Sequence, residues 1–450
     1  MPFVKAIRPL VKARLVLVRS ASHSLDTDGA ILRPEPRKEN LVTRPALLSR
    51  LIATTLALQT APIPAFADEP GFFRDIRPNH WVWNGADPLT TRNILDRVAR
   101  VGAGTGHPDL FGAGGATVWT EEFARVGDQL RALAEEQEAL GLTGAAAELY
   151  MQASANYTLA KYPLIDPNAA EVAAFEASLE TLHRAHELRG FEVERVAVPF
   201  QDGEADGHVL LPRGEAPAGG WPLVIASNGI DVNQGEFFTF AEDVASRGMA
   251  FLMYDIAGTG TNAEFPLAPD YEELPVALAE ALGATDRFDE DRIAIMGVSF
   301  GGNAAVKLAH TRADLFAASV NVCGPLHSAF QVPEDQLESV GLMYRLALYD
   351  RTGIDGGADP AGFLAHMRGF SLIDQGVIVP GETVTVVPIL SVNARNDYVA
   401  PEFDMELANN STIDGTLIYS GTDDHCPQDR FTVMPQIADW LEQRLSPGAN

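Results

Sequence analysis

Two spacings of hydrophobic residues divide this chain near residue 190. Between about 120 and 189, apolar positions recur at steps of three and four in EEFARVGDQLRALAEEQEAL, GAAAELYMQASANYTLAKYPL and NAAEVAAFEASLETLHRAHEL, the pattern of three helices each burying one face. Pro163 and Pro167 part the second from the third, because proline cannot continue a helix interior. From 190 onward the period shortens. FEVERVAVPF alternates as a half-buried strand, GHVLLP follows an Asp-Gly turn, and near-continuous apolar runs come next: PLVIASNGI, AFLMYDIAG, RIAIMGVSF, FAASVNVCG and VVPILSVNA. Helical patterns lie between most of them, including EFFTFAEDVASRG, YEELPVALAEALG and GGNAAVKLAHTR. Strands apolar on both faces are buried on both faces, so the expectation is an α/β domain with a mostly parallel central sheet flanked by helices.

The domains expected are therefore 68–189, an N-terminal loop and a helical domain, and 190–450, the α/β domain. Residues 68–118 are rich in Gly, Pro and Trp and are expected to form a covering loop. Their GAGTG at 102–106 and GAGG at 112–115 are not dinucleotide loops, since no β-branched strand feeds either one. Residues 325–385 are an insertion between strands, with the apolar stretches DQLESVGLMYRLALYD and GFLAHMRGF. An insertion at that edge lies over a pocket mouth, which makes Met343, Tyr344, Phe363 and His366 candidate pocket residues in a largely apolar site.

Candidate chemistry sits where RIAIMGVSF passes into GGNAAVKLAHTR. Gly297-Val298-Ser299-Phe300-Gly301 is a G-x-S-x-G pattern between a buried strand and a helix, and that setting gives the pattern its force. A serine there is held on a tight turn with its hydroxyl above the strand ends, and the glycines allow close backbone approach. An alcohol is a poor nucleophile near neutral pH, so it needs a base, and the base needs an orienting acid. In the α/β-hydrolase fold these follow the serine in the order acid, then histidine. Asp397 stands just after VVPILSVNA, and His425 just after GTLIYSG.

Rivals are less well placed. His310 reads as a helix C-terminal residue favoured by the dipole. His327 and His366 lie in the insertion, and Asp423 and Asp424 are too close to His425 in sequence to orient it well. The oxyanion hole is expected from the amides of Phe300 and Ile230, the latter in Ser227-Asn228-Gly229-Ile230-Asp231 after the first parallel strand. Asp231 either touches substrate or tunes His425, or else caps a turn.

Together the segment AAELYMQASANYTLAKYP, the S-N-G-I-D loop, the GVSFGG elbow, N-D-Y-V-A-P and D-D-H-C resemble the serine hydrolases related to the fermentation–respiration switch protein, over roughly residues 120–445. That group includes dihydroxypseudooxynicotine hydrolase and fungal enzymes that shorten polyketide chains. The resemblance implies that the helical domain is a cap closing over the pocket and aiding homodimerisation. In the nicotine-degrading relative the corresponding loop acid has Glu character and assists carbon–carbon cleavage; the shorter Asp231 here departs from that pattern.

Charge narrows the partners. With 61 acidic and 33 basic residues the chain carries a formal −28, a field that repels nucleic acid and anionic membrane surfaces, and a small-molecule substrate is the partner expected. Residues 1–67 are net basic, so the remainder is more acidic still. Within them, Arg44 and Arg50 precede the apolar run Leu51 to Leu58, and Ala65-Phe66-Ala67 supplies a small-x-small cleavage pattern before Asp68. The run is too short to span a bilayer, which predicts a cleaved signal peptide, no stable membrane insertion and a periplasmic or secreted enzyme. A signal peptide begins near its basic region, so translation is expected to start near Leu41 or Val42.

The only cysteines, Cys323 and Cys426, follow predicted strands; they are either a bridge or two buried thiols. His183 and His186, three apart, lack the further ligands of a metal site and read as a solvated helix face. No metal and no organic cofactor is called for. The function expected is hydrolysis of a carboxylic ester or lactone through an acyl-enzyme, ahead of cleavage of an activated C–C bond, a peptidase, or a catalytically silent binding protein.

Overall fold

The structure, a computed structural model, describes residues 77–102, 115–162 and 164–447, all within one compact unit spanning Ile63–Asn450. The proposed targeting segment at 1–67 and nearly all of both glycine clusters lie outside the described residues. Among the described residues five helices come first: α1 Pro78–Trp83, α2 Pro88–Gly102, α3 Gly115–Ala139, α4 Thr143–Ala160 and α5 Ala169–Leu188. The first two correct the expectation of a loop. Pro78 and Pro88 each occupy the opening of a helix, where proline's missing N–H costs nothing, so these prolines start helices rather than break them. Helix α4 is buried without interruption from Ala153 to Ala160. Helix α5 opens with a capping box, in which Asn168 Oδ1 accepts from the amides of Ala170 and Glu171 while the Glu171 carboxylate accepts from the Asn168 amide.

The second periodicity gives one eight-stranded sheet, in the order β1-β2-β4-β3-β5-β6-β7-β8. Its strands are β1 Glu192–Phe200, β2 Gly203–Leu211, β3 Trp221–Ser227, β4 Ala250–Tyr254, β5 Phe288–Val298, β6 Ala318–Val322, β7 Ile389–Asn393 and β8 Gly415–Tyr419. The β1–β2 hairpin and the β2–β4 pairing are antiparallel, and every other pairing is parallel. Strands β3, β4, β6 and β7 are buried along their whole length, as their apolar sequences require. Pro199 is tolerated because β1 is an edge strand.

Helices α6 Phe238–Ser246, α7 Glu273–Gly283, α8 Phe300–Thr311, α11 Glu402–Asn410 and α12 Arg430–Leu445 cover the sheet, while α9 Leu342–Thr352 and α10 Pro360–Arg368 belong to the insertion between β6 and β7. The chain runs from β3 outward to β4 and then returns to place β5 on the other side of β3. That reversal opens a crevice beyond the carboxyl ends of β3 and β5, the position where an open α/β sheet binds its ligand.

Helix α5 also corrects a reading. His186 is fully buried, stacked on Phe238 and 3.1 Å from Glu242 Oε1, and the His183 ring lies 4.4 Å from that of His208. The face read as solvated packs instead on α6 and β2, and burial holds both imidazoles neutral, with His183 lowered to about 3. His310 likewise is no charged helix terminus: burial lowers it to about 4, and its Nε2 lies 3.0 Å from Ser411 Oγ.

Candidate active site

Ser299 stands between β5 and α8 with φ 53° and ψ −126°, a left-handed conformation that a side chain adopts only when its surroundings enforce it. Its amide donates to Val322 O at 2.8 Å, tying the elbow to the end of β6. Gly297 and Gly301 face each other inside the turn, and a Cβ on Gly297 would collide with the Gly301 carbonyl. Gly229 is equally constrained, since a Cβ there would lie 2.8 Å from Ser299 Cβ and 3.0 Å from its Oγ. The loop after β3 can therefore bring its backbone against the nucleophile.

Three sequence-distant side chains meet at this point. Ser299 Oγ lies 2.8 Å from His425 Nε2, and His425 Nδ1 lies 2.9 Å from Asp397 Oδ2 and 3.1 Å from Oδ1. Asp397 is held in turn, with Oδ1 accepting from the amides of Val399 at 2.8 Å and Ala400 at 3.0 Å. His425 and Asp397 are 4% and 3% exposed, so water competes little for these hydrogen bonds. The arrangement is a proton relay: the imidazole can take the serine proton while the carboxylate fixes its tautomer and steadies the imidazolium. Asp423 instead accepts from Asn396 Nδ2 at 3.0 Å, and His327 Nδ1 sits 2.7 Å from Ser371 Oγ. Neither rival enters the relay.

Phe300 opens α8, so its amide has no acceptor within the helix, and Ile230 and Phe300 both line the cavity in front of Ser299. The cavity is otherwise walled by the insertion, through Pro325, Ala329, Phe330, Val332, Val340, Tyr344, Leu348 and Met367, and by Tyr398 and Val399 beside Asp397. None of these lining side chains is acidic, and none is lysine or arginine. Sequence reasoning missed most of them. The insertion is anchored at its start by Asp404, whose carboxylate accepts from the amides of Leu326, His327 and Ser328 and from the Ser328 hydroxyl.

Of the four pocket candidates only Tyr344 lines the cavity. Met343 points the other way, 3.1 Å from the Tyr162 hydroxyl, because adjacent helix residues face about 100° apart. Tyr344 and Leu348, four apart on α9, share the cavity face, and this spacing was the signal that could have found Leu348. Phe363 packs edge-on against Tyr349 in the core, and His366 Nε2 turns to Leu267 O at 3.0 Å. Asp231 is also outside the lining. It accepts from the Tyr162 hydroxyl at 3.3 Å and lies near the buried guanidinium of Arg351, whose Nε donates to Ile230 O at 3.4 Å. It braces the loop from behind.

Cys323 and Cys426 are joined in a disulfide, with Cα atoms 5.1 Å apart, which settles the alternative left open by the sequence. Among the described residues they form, with His425, the only grouping of potential metal ligands, and its two sulfurs are spent on each other. No helix among the described residues is long and apolar enough to cross a membrane.

Comparison with known proteins identifies relatives that cover most of this chain. Esterase FrsA of Photobacterium profundum is 25% identical over 386 residues, covering 84% of this chain and 89% of that one. Esterase FrsA of Salmonella paratyphi B is 29% identical over 392 residues, with the same coverage of 84% and 89%. Among solved structures, 2,6-dihydroxy-pseudo-oxynicotine hydrolase superposes with a TM-score of 0.65 at 20% identity, covering 82% of this chain and 96% of that chain, and AbyA5 with 0.57 at 20% identity, covering 73% and 88%. These structural likenesses speak for the fold, and the fold is that of the α/β-hydrolases. The family model described as Esterase FrsA-like matches residues 48–446, a span that contains the elbow, the relay and the insertion, and the chain belongs to that family.

Proposed function

We propose that this hydrolase cleaves carboxylic esters or lactones with a neutral, largely apolar acyl group through an acyl-enzyme. The observation that carries the reading is the unbroken Ser299–His425–Asp397 relay, 2.8 and 2.9 Å, at the floor of a cavity whose lining lacks charged carboxylates, lysine and arginine. In the first half-reaction His425 takes the proton as Ser299 Oγ attacks the carbonyl, and the Phe300 and Ile230 amides receive the oxyanion. His425 then returns the proton to the leaving alcohol, and water repeats the sequence to release the acid. The relatives' name, esterase, supports the same bond class. Carbon–carbon hydrolysis has no comparable support, because Asp231 faces Tyr162 and is not part of the cavity wall.

Turnover of p-nitrophenyl esters, lactones and β-diketones by wild type and Ser299→Ala tests the reading. Esters or lactones are expected to be cleaved by wild type alone; turnover confined to β-diketones would overturn it. We further propose an extracytoplasmic location, supported by the Cys323–Cys426 bridge and by the basic, apolar and small-x-small order of residues 44–67. Amino-terminal sequencing of exported protein is expected to begin at about Asp68, and a start before residue 60 would contradict it.

A further inference from the structure

We propose that the Cys323–Cys426 bridge is a positioning device for the catalytic base, fixing His425 over Ser299; this rests on the reading of His425 as that base. His425 does not stand on regular structure. It lies in the irregular segment between β8, which ends at Tyr419, and α12, which begins at Arg430. That segment starts at the far edge of the sheet, because β7 and β6 lie between β8 and the strand that carries Ser299. Three strand spacings, about 14 Å, must be crossed for the imidazole to reach the elbow.

Backbone hydrogen bonding does little to hold it there. The Gln428 amide donates to Thr422 Oγ1, Gln428 Nε2 donates to Cys426 O, and the Gly421 amide donates to Asp429 Oδ2, all inside the segment itself, while the Ser420 amide donates to Asn393 O at the end of β7 and Asp423 accepts from Asn396 Nδ2, two or more residues short of the base. The attachment to the sheet that lies next to the base is covalent. Cys426 follows His425 directly, its Sγ 3.7 Å from His425 Nε2, and its partner Cys323 follows the last residue of β6.

Cys323 is itself fixed, since its amide donates to Val392 O at 2.8 Å, one residue from the Ser299 amide's bond to Val322 O. One short path thus runs from nucleophile to base: Ser299, Val322, Cys323, Cys426, His425. Both cysteines also hold positive φ, 54° and 62°, a conformation disfavoured for side-chain-bearing residues that relaxes once nothing enforces it. Without the bridge the His425 side chain keeps its hydrogen bonds to Asp397 and Ser299, one of which is spent at each turnover, and a loose ring contact with Tyr398 at 6.0 Å.

A consequence is sensitivity to reductant. A dithiol delivers two electrons and two protons to the bridge, leaving two thiols on the protein and closing to its own cyclic disulfide.

The test is the double variant Cys323→Ala/Cys426→Ala, with folding followed by circular dichroism and melting. In the folded protein kcat on a p-nitrophenyl ester is expected to fall about 100-fold with KM within about twofold, as for a misplaced catalytic group. Fluorophosphonate labelling of Ser299 is expected to slow in parallel. A bridge that merely stabilised the fold would lower the melting temperature and leave kcat of the folded fraction within about threefold of wild type, and that result overturns the proposal.

Should the variant not fold, wild type is reduced with dithiothreitol and EDTA, the chelator keeping metal from the freed thiols and imidazole. Activity is expected to disappear as thiols form and to return on reoxidation; full activity in a folded protein with both thiols titrated overturns the proposal. A wild type that never labels at Ser299, or a His425→Ala variant as active as wild type, would instead refute the serine-hydrolase reading.

Discussion

Ser299 and His425, the proposed nucleophile and base, are 2.8 Å apart, yet the fold holds them by opposite means. Ser299 belongs to the scaffold: β5 feeds it, α8 leaves it, glycines make room for it, and its amide is bonded to β6. His425 arrives on an irregular segment from the sheet edge and is held by a carboxylate and, through its neighbour, a disulfide. The first arrangement is carried by regular structure and fails only if the turn fails. The second depends on a few discrete attachments and can fail while the fold survives.

The largest effect that sharpens this comparison comes from Ser299→Ala, expected to lower kcat by about 10⁶-fold, as in a serine triad stripped of its nucleophile, with the melting temperature unchanged or raised. On the histidine side, Asp397→Asn is expected to reduce kcat about 10⁴-fold with little change in KM, because the amide favours the wrong imidazole tautomer. Steady-state kinetics on one p-nitrophenyl ester checks both. Loss of fold in Asp397→Asn would show that the carboxylate's bonds to Val399 and Ala400 matter more to structure than to the relay.

A smaller but opposite signature is expected on the serine side from Gly301→Ala. The added Cβ would lie 2.5 Å from Ser227 Oγ and 2.7 Å from Asn228 O, so activity and stability should fall together, stability by about 1–3 kcal/mol on denaturant unfolding. Undiminished stability there would break the contrast between a scaffold-held serine and an attachment-held histidine.

The smallest effect concerns histidines outside the relay. Burial lowers His80 and His310 from 6.5 to about 4 and His183 to about 3. The unfolded chain binds these protons as pH falls through about 6.5 while the folded chain refuses them, so their contribution is whole above 6.5 and drains away toward pH 4. Melting temperature is expected to drop steadily between pH 7 and 4.5, and less steeply in His310→Gln. Equal slopes for the two proteins would show that His310 is not held neutral.

What could be read from the sequence follows the same division. The sheet, Ser299, Asp397 and His425 were legible because buried strands are apolar throughout and the acid and base follow the serine in a fixed order. Features set by tertiary approach were not. Whether Cys426 could meet Cys323 depended on a segment folding back over the end of β7, which no local spacing records. The cavity wall was half legible: a helix had to be placed before Leu348 could be preferred to Met343. Pro78 and Pro88 misled because proline starts helices as well as stopping them, and His186 because its face is covered by Phe238 and Glu242 from elsewhere in the chain.

The most direct measurement is fluorophosphonate labelling of wild type and His425→Ala, with the labelled peptide located by mass spectrometry. One equivalent on Ser299 in wild type, and labelling slower by at least about 10³-fold without the imidazole, is the predicted result. Labelling at any other residue, or equal rates in the two proteins, would contradict the relay on which this account stands.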